Sequence, residues 1–295
     1  PDLTRADPET MGPSGGPITR DQTGVETYAT IFALAPSPHD PGTLWAGSDD
    51  GLVHITRDGG ASWTDITPPD MPEHTRVSMI DASPHAACTA YVAGNRYLLG
   101  DLEPYAYRTG DCGETWTDIS GGIPDGHFTR AIREDPRREG MLYAATEKGV
   151  WVSWDDGERW QSLSRNLPVV QVADLVVEDR DLVIGTHGRG FWIMDDIAPL
   201  RQLSDEVVGA AVHLFEPDDP VLGVYGSLRV AYLLNGEVDE LTVEILDADG
   251  NVVRSFRGVP AKDEEEGEEE EEEEAPWWES GGVELSMEEG LHSFD

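Results

Sequence analysis

The chain has 295 residues, enough for one large domain or two of ordinary size, and its 59 acidic and 20 basic residues give a formal net charge of -39. Eleven of the acids lie in one run at 263–274, but the 48 that remain still far outnumber the 20 basic residues. Such a surface repels nucleic acid and anionic lipid. Together with sparse Lys it favours a halophilic source, where molar salt screens the repulsion between like charges. No stretch reaches the roughly 18 apolar residues of a membrane span.

The N-terminal 24 residues are rich in Pro and Gly and predict a lead-in or an edge strand. A pattern of short strands then recurs from residue 25 to residue 203. Each unit starts with an apolar stretch that mostly closes on Pro, followed by a second strand, a Gly-containing turn and a third strand. The recurring pieces are "LWAGSDDGLVHI" at 44–55, "AYVAGNRYLL" at 90–99, "LYAATEKGVWV" at 142–152 and "LVIGTHGRGFWIM" at 182–194. This spacing predicts four propeller blades and an all-β fold.

An eight-residue box follows the third strand in the first three units, and a final strand is predicted to begin at its Trp. The copies are "TRDGGASW" at 56–63, "TGDCGETW" at 109–116 and "SWDDGERW" at 153–160. In each copy the Asp is suited to an Asx-type turn, the Gly tolerates positive φ and the Trp can bury a large apolar face against the blade. We predict a structural hairpin clamp, because three copies of one Asp cannot serve one active site. Calcium binding at these Asp-rich turns is a weaker alternative, and no metal or cofactor is expected. The box residues are Thr56, Asp58, Gly60 and Trp63; Thr109, Asp111, Gly113 and Trp116; and Ser153, Asp155, Gly157 and Trp160.

The box resembles the Asp-box, or BNR repeat, of sialidases, xyloglucan-cleaving endoglucanases and sortilin-type propellers. The stretch from "GPITRDQTG" to the first box, together with "GTHGRGFWIMDDIAPLRQL" at 185–203, resembles the prokaryotic sortilin-like proteins often labelled glycosyl hydrolase. This resemblance covers about residues 15 to 260. It implies that the chain corresponds to the last blades of a propeller and the start of a small β-sandwich, so further blades of a longer parent are expected partners.

The residues of an active site are harder to find. A sialidase needs an arginine triad, yet Arg130, Arg133, Arg137 and Arg138 are bunched around one turn and predict surface charge. A Tyr with a Glu partner is also missing from the pattern around Tyr28, Tyr97 and Tyr105. An endoglucanase would need two carboxylates about 5 to 10 Å apart. Asp49 and Asp50, or Asp195 and Asp196, could form such a pair.

The loop "GTHGRGFW" places an imidazole and a guanidinium among three glycines, where backbone can approach a ligand closely. The candidate ligand-contacting residues are therefore His187, Arg189, Asp49 and Asp50. In the alternative interpretation, the glycines serve a tight turn and Arg189 pairs with Asp195 or Asp196 to lock the last blade.

The composition changes after "APLRQL". We predict two domains: a partial Asp-box propeller over 1–203 and an incomplete Ig-like β-sandwich over 204–295, with a hairpin around "ADGN". The acidic insert 262–276 cannot bury apolar surface and is expected to be a disordered loop. Strands should resume near "GGVELSMEEGLHSF". Cys88 and Cys112 are either a disulfide pair or two buried thiols.

These features predict a non-catalytic, extracellular or cell-surface binding or scaffold module that engages a peptide, a protein or a glycan on its propeller face. A glycoside hydrolase, sialidase-like or endoglucanase-like, whose site needs blades outside this chain, is the alternative. An assembly-factor role is a third possibility, because propellers serve as rigid docking surfaces.

Overall fold

The computed structural model describes residues 2–5, 29–218, 228–236, 238–259 and 285–294. The predicted all-β fold is confirmed: the chain forms two compact units, 1–195 and 196–295, built almost wholly from antiparallel sheets. The predicted domain boundary at residue 203 stays a prediction. The acidic insert 262–276 and most of the N-terminal lead-in lie outside the described residues. No helix in the described part of the chain is long and apolar enough to cross a membrane.

The first unit is a partial propeller of four successive sheets, which we call blades 1 to 4. In each blade the strands pair antiparallel in sequence order, and blade 4 contains three described strands instead of four. Blade 1 comprises Ile31–Pro36, Leu44–Ser48, Val53–Thr56 and Thr64–Asp65; blade 2, Arg76–Ala82, Ala90–Arg96, Asp101–Thr109 and Thr117–Asp118; blade 3, Thr129–Glu134, Leu142–Thr146, Gly149–Ser153 and Gln161–Ser162; and blade 4, Val172–Val177, Leu182–Thr186 and Phe191–Met194.

The blades pack face to face, and their first strands lie next to one another. One core cluster joins blades 1 and 2 through side chains such as Trp45 and Ile55 on one face and Val77 and Val92 on the other. A second cluster joins blades 2 and 3 in the same way. Successive side chains of a strand point to opposite faces of its sheet. A sheet with apolar residues on both faces therefore has to pack against a neighbouring sheet on each side.

The box forms the predicted turn, with the same bonds in all three copies. In the second copy, the Thr109 hydroxyl donates to Asp111 Oδ1 at 2.8 Å and accepts from the backbone N–H of Gly113 at 2.9 Å. Asp111 also accepts from the backbone N–H and the hydroxyl of Thr115, at 2.8 and 2.6 Å. The other two boxes repeat the Ser/Thr–Asp–Gly bonds at matching distances.

The box tryptophans reach further than the sequence predicts. We expected each Trp to cover its own blade, but the indole N–H of Trp116 donates to the carbonyl of Ile66, and that of Trp160 to the carbonyl of Ile119, both at 2.6 Å. Each isoleucine follows the last strand of the preceding blade. The box is therefore a fastener between blades as well as a clamp within one.

A second set of bonds fastens the blades at the loop after each first strand. His39 Nε2 lies 3.2 Å from the carbonyl oxygen of Ser83 in the next blade, and His85 Nε2 lies 2.7 Å from that of Asp135. Both histidines belong to an "SPH" triplet. The corresponding residue of blade 3 is Arg137, which forms a 3.9 Å ion pair with Asp179 of blade 4. One loop position therefore links each of the first three blades to the next.

Cys88 and Cys112 form a disulfide. It joins the loop after the first strand of blade 2 to the box turn of the same blade, where the backbone N–H of Cys112 also donates to the Cys88 carbonyl at 2.9 Å. The same backbone bond, also at 2.9 Å, joins Gly59 to Gly42 in blade 1 and Asp156 to Gly140 in blade 3. The disulfide thus adds a covalent link to a contact that all three complete blades make.

The second unit contains two three-stranded sheets around a shared core of Tyr232, Leu234, Phe256 and Leu285. The predicted hairpin and returning strands are present, and that this unit is an incomplete Ig-like sandwich stays a prediction. Two short helices were not predicted, although the Ser204 side chain caps the second by accepting from the N–H of Val207. The helices are Ala198–Gln202 and Asp205–Gly209, and the strands are Val212–Leu214, Val230–Leu234, Thr242–Leu246, Val252–Val259, Leu285–Ser286 and Gly290–Phe294.

Replacing the box glycine of blade 2 by alanine tests the fastener between blades. Gly113 has φ +88°, and an added Cβ would lie 2.6 Å from Ile66 Cδ1. We expect Gly113→Ala to lower the free energy of unfolding by roughly 2–3 kcal/mol, from backbone strain and overpacking together. Gly59→Ala is the control, because Gly59 has φ +70° but no neighbour within 4 Å of the added Cβ. Its cost should be about 1 kcal/mol. Equal losses in denaturant titrations would contradict contact between the box and the preceding blade.

The box aspartates should make stability depend on acidic pH. The hydroxyl and backbone N–H of Ser62 lower the pKa of Asp58 to about 2, and those of Thr115 lower the pKa of Asp111. Because the folded-state pKa lies below the unfolded one, this stabilisation is present above about pH 4 and is lost as the pH falls toward 2. Thermal unfolding followed across that range should show a smaller acid effect in Asp58→Asn than in the parent. An unchanged pH profile would show that the carboxylate does not carry the effect.

Candidate functional site

The first strand of every blade contains a β-bulge close to its start. The pairing with the second strand skips one residue in each case: Phe32, Ser78, Arg130 and Ala173. A bulge turns the extra side chain away from the regular alternation and is common next to functional sites. The bulged residues therefore occupy equivalent places at the same end of four neighbouring blades.

The turns that follow the second strands lie at this same end. The first residue of this turn is Asp49 in blade 1, Glu147 in blade 3 and His187 in blade 4. Its backbone N–H donates to the backbone carbonyl of the residue just before the first strand of the same blade, at 3.0, 3.1 and 2.9 Å respectively. Asp49 and His187 were chosen separately from the sequence, and they thus occupy equivalent positions in two blades. The boxes lie at the opposite end of each blade, beyond the third strand.

Five side chains at this end form a continuous group, which we call the arginine–aromatic row: Phe32, Arg76, Tyr97, Phe128 and Arg130. The Arg76 guanidinium carbon lies 5.0 Å from the centre of the Phe32 ring and 5.9 Å from that of Tyr97. Arg130 lies 5.3 Å from the Tyr97 ring and 4.9 Å from the Phe128 ring, and these two rings stack at 5.1 Å. Stacking on aromatic faces fixes a guanidinium while leaving its N–H edge available for hydrogen bonds.

The row continues toward blade 4 through polar contacts. Arg130 donates from Nε and Nη2 to Glu147 Oε2 at 3.1 and 2.8 Å. With its amide oriented to suit both neighbours, Gln171 accepts from the Arg130 guanidinium at 3.1–3.3 Å and donates to His187 Nδ1 at 3.2 Å. In that arrangement Nδ1 of the exposed His187 is an acceptor, and the ring N–H is the one on Nε2.

The four candidate ligand contacts differ in their surroundings. Asp50 is fully buried and accepts from the Ser48 hydroxyl and the Arg5 backbone N–H, which is a structural arrangement. Asp49 is 8% exposed, and its two oxygens accept from the N–H and hydroxyl of Thr30. His187 and Arg189 are exposed, and Arg189 makes none of the ion pairs found among the described residues. Ligand contact by these residues stays a prediction.

Two of the four bunched arginines are not simply surface charge. Arg130 belongs to the row, and Arg133 forms ion pairs of 3.1 Å with Asp81 and 3.6 Å with Asp174, joining the first strands of blades 2, 3 and 4. Both arginines lie within a strand and are half-buried. The sequence signal that could have identified them is their alternation with the buried Thr129, Ala131 and Ile132 in a first strand.

Burial shapes the charges near this end. It raises the pKa of Asp49, which the Thr30 bonds and Arg76 oppose. It also raises the pKa of Asp81, against the bonds from the Glu134 N–H and from Arg133. The described residues contain no group of three or more His, Cys, Asp or Glu side chains placed to hold a metal ion. The side chains present at this end carry guanidinium, carboxylate, amide, imidazole and aromatic groups.

Comparisons with known proteins give partial similarities. No family model matches the chain. It is 25% identical over 126 residues to an oligoxyloglucan-reducing end-specific xyloglucanase from Emericella nidulans, a match that covers 42% of this chain and 15% of that protein. Among solved structures, it is similar to YCF48 from Cyanidioschyzon merolae, with 18% identity, a TM-score of 0.41 and coverage of 56% and 53% of the two chains. It is also similar to the GH74 xyloglucanase from Xanthomonas campestris, with 17% identity, a TM-score of 0.43 and coverage of 68% and 33%.

A double-mutant cycle tests whether the row is held together by the Arg130–Glu147 pair. The two side chains are 18% and 32% exposed, so we expect a coupling energy of about 1 kcal/mol between Arg130→Gln and Glu147→Gln in denaturant titrations. Arg137 and Asp179 provide the control, because they are 3.9 Å apart and 44% and 82% exposed. Their coupling should be much smaller, about 0.2 kcal/mol, because solvent screens this exposed link between blades 3 and 4. Similar values for both pairs would contradict a fixed position for Arg130.

Proposed function

We propose that the chain is a non-catalytic binding module of the propeller type, which engages its peptide, protein or glycan ligand through the arginine–aromatic row. The observation that carries the proposal is Arg76. Its guanidinium is held between the rings of Phe32 and Tyr97, yet it makes none of the ion pairs found among the described residues. A positioned guanidinium that makes no direct ion pair among the described residues suits a recognition site for a polar ligand.

The acids beside the row support a non-catalytic role. Glu147 is bound to Arg130, and both oxygens of Asp49 are bound to Thr30. Glycoside hydrolysis needs one carboxyl group to protonate the leaving oxygen and a second to attack or to activate water. Both Asp49 oxygens and Glu147 Oε2 are engaged in these bonds, which hold the two acids in place as parts of the blade structure.

A glycoside hydrolase is the second candidate, and the sequence match to the oligoxyloglucan-reducing end-specific xyloglucanase favours it. The chain spans only 15% of that relative's length. In this reading the catalytic carboxylates would come from blades outside this chain, and the row would bind part of the sugar chain.

Further blades are part of the proposal, because blade 4 offers an open face. Phe191 and Ile193 are 84% and 59% exposed, whereas the equivalent Val150 and Val152 of blade 3 are 0% and 1% exposed. Blades 1 to 3 bury this face against the following blade. We therefore propose that another blade of the same kind, from a longer parent, packs on blade 4.

The repeat type and the location complete the proposal. The repeated Ser/Thr–Asp–Gly–Trp bonds support an Asp-box repeat of the sortilin-like kind. The Cys88–Cys112 disulfide supports a location outside the cytoplasm, because disulfides persist mainly in oxidising compartments. The charge of -39 supports a medium of high salt.

Peptide and glycan arrays probed with the chain in molar salt would test the function. Ligands bound by the parent should bind about tenfold more weakly to Arg76→Gln, because a charge-assisted hydrogen bond contributes about 1.5 kcal/mol. Arg57→Gln, an exposed arginine on the box turn at the other end of blade 1, should leave binding unchanged. Ligands that bind Arg76→Gln and Arg130→Gln as well as the parent would refute recognition by the row. Release of sugar from a bound glycan would establish the hydrolase instead.

A further inference from the structure

We propose that the ligand of the arginine–aromatic row is a glycan of mainly neutral sugars that carries an isolated carboxylate, such as one uronic acid unit, and that Arg76 receives this carboxylate. The inference rests on the proposed binding function and names the class of its ligand. It is built from the charge balance of the row, from the polar groups beside it and from the charge of the whole chain.

The row offers one unneutralised cation. Arg130 is paired with Glu147 at 2.8 Å, so its charge is already balanced. Arg76 makes no direct ion pair among the described residues. Its hydrogen-bond contact is the long one of 3.4 Å from Nη1 to the Tyr97 hydroxyl, and it interacts electrostatically with the buried Asp49. A stacked guanidinium presents a planar N–H edge that matches the two oxygens of one carboxylate. The row therefore fits one acidic group rather than a series of them.

The neighbouring groups suit sugar hydroxyls. Glu147 offers acceptors, Gln171 offers both a donor and an acceptor, and the exposed His187 can donate from Nε2. A hydroxyl group both donates and accepts, so a mixed set of this kind can bind it from either side. The ring of Phe32 is 52% exposed and provides an apolar surface for the C–H face of a sugar.

The charge of the chain disfavours a densely charged ligand. At a net charge of -39, a polyanion would be repelled at low salt, and molar salt would in turn weaken the many exposed ion pairs on which its binding depends. The repulsion costs a single carboxylate little binding free energy, because its attraction to the stacked Arg76 acts over only a few ångströms. Since the contacting groups recur once per blade, an extended sugar chain could follow the row from blade 1 toward blade 4.

The experiment compares two ligands that differ only in the carboxylate. A xylo-oligosaccharide carrying one glucuronic acid branch is measured against the same compound with its carboxyl group reduced to an alcohol, by calorimetry in molar salt. The parent chain should bind the acidic form about tenfold or more tightly. Arg76→Gln should bind the two forms equally, and Arg57→Gln should keep the full difference. Thermal unfolding of each variant establishes that it remains folded.

The outcomes separate the ligand class from the binding function. Equal binding of the two forms by the parent, or a difference that persists in Arg76→Gln, would overturn the inference. Binding of polyglutamate or of an unsubstituted xylo-oligosaccharide that depends on Arg76, without binding of the uronate, would overturn it while leaving the proposed function intact. If none of these probes and no array ligand depends on Arg76 or Arg130, both proposals fail.

Discussion

The fit of each box against the preceding blade is the constraint on which the first unit depends. Trp116 and Trp160 donate to isoleucine carbonyls of the preceding blade, and the glycines of the same boxes leave no room for a Cβ beside those isoleucines. A sheet with two apolar faces is unstable alone, because burial on both sides supplies most of its stabilisation. The tryptophan therefore fixes the distance between blades as well as covering apolar surface.

That spacing also positions the candidate site. The box and the row lie at opposite ends of the blades, and the row draws its side chains from more than one blade: Phe32 from blade 1, Arg76 and Tyr97 from blade 2 and Arg130 from blade 3. Ring-to-guanidinium distances of 5 to 6 Å across blades hold only if neighbouring blades keep one separation. The fasteners at one end thus set the geometry of the arginine–aromatic row at the other.

Much of the fold could be predicted from the sequence, because a repeated Asp, Gly and Trp report on a repeated local turn. The contact of Trp116 with Ile66 could not be predicted, since it depends on how two blades pack together. The candidate site could be predicted only in part. His187 was selected because glycines surround it, whereas Arg76 and Arg130 belong to a row whose strands are far apart in the sequence. The bulge at Arg130 depends on pairing with the neighbouring strand, so the three-residue spacing of the two arginines in "TRAIRE" does not by itself show which residue is skipped.

The repeated bulge has an evolutionary consequence. Because the skipped residue takes no part in the regular pairing, residues as different as Phe32, Ser78, Arg130 and Ala173 occupy it while the surrounding strands keep the same register. Mutation at these four places can therefore change the surface at this end of the blades without changing the strand pairing. An architecture of this kind separates what must be conserved to fold from what is free to diversify, and descendants of one scaffold could acquire different specificities without redesigning their cores.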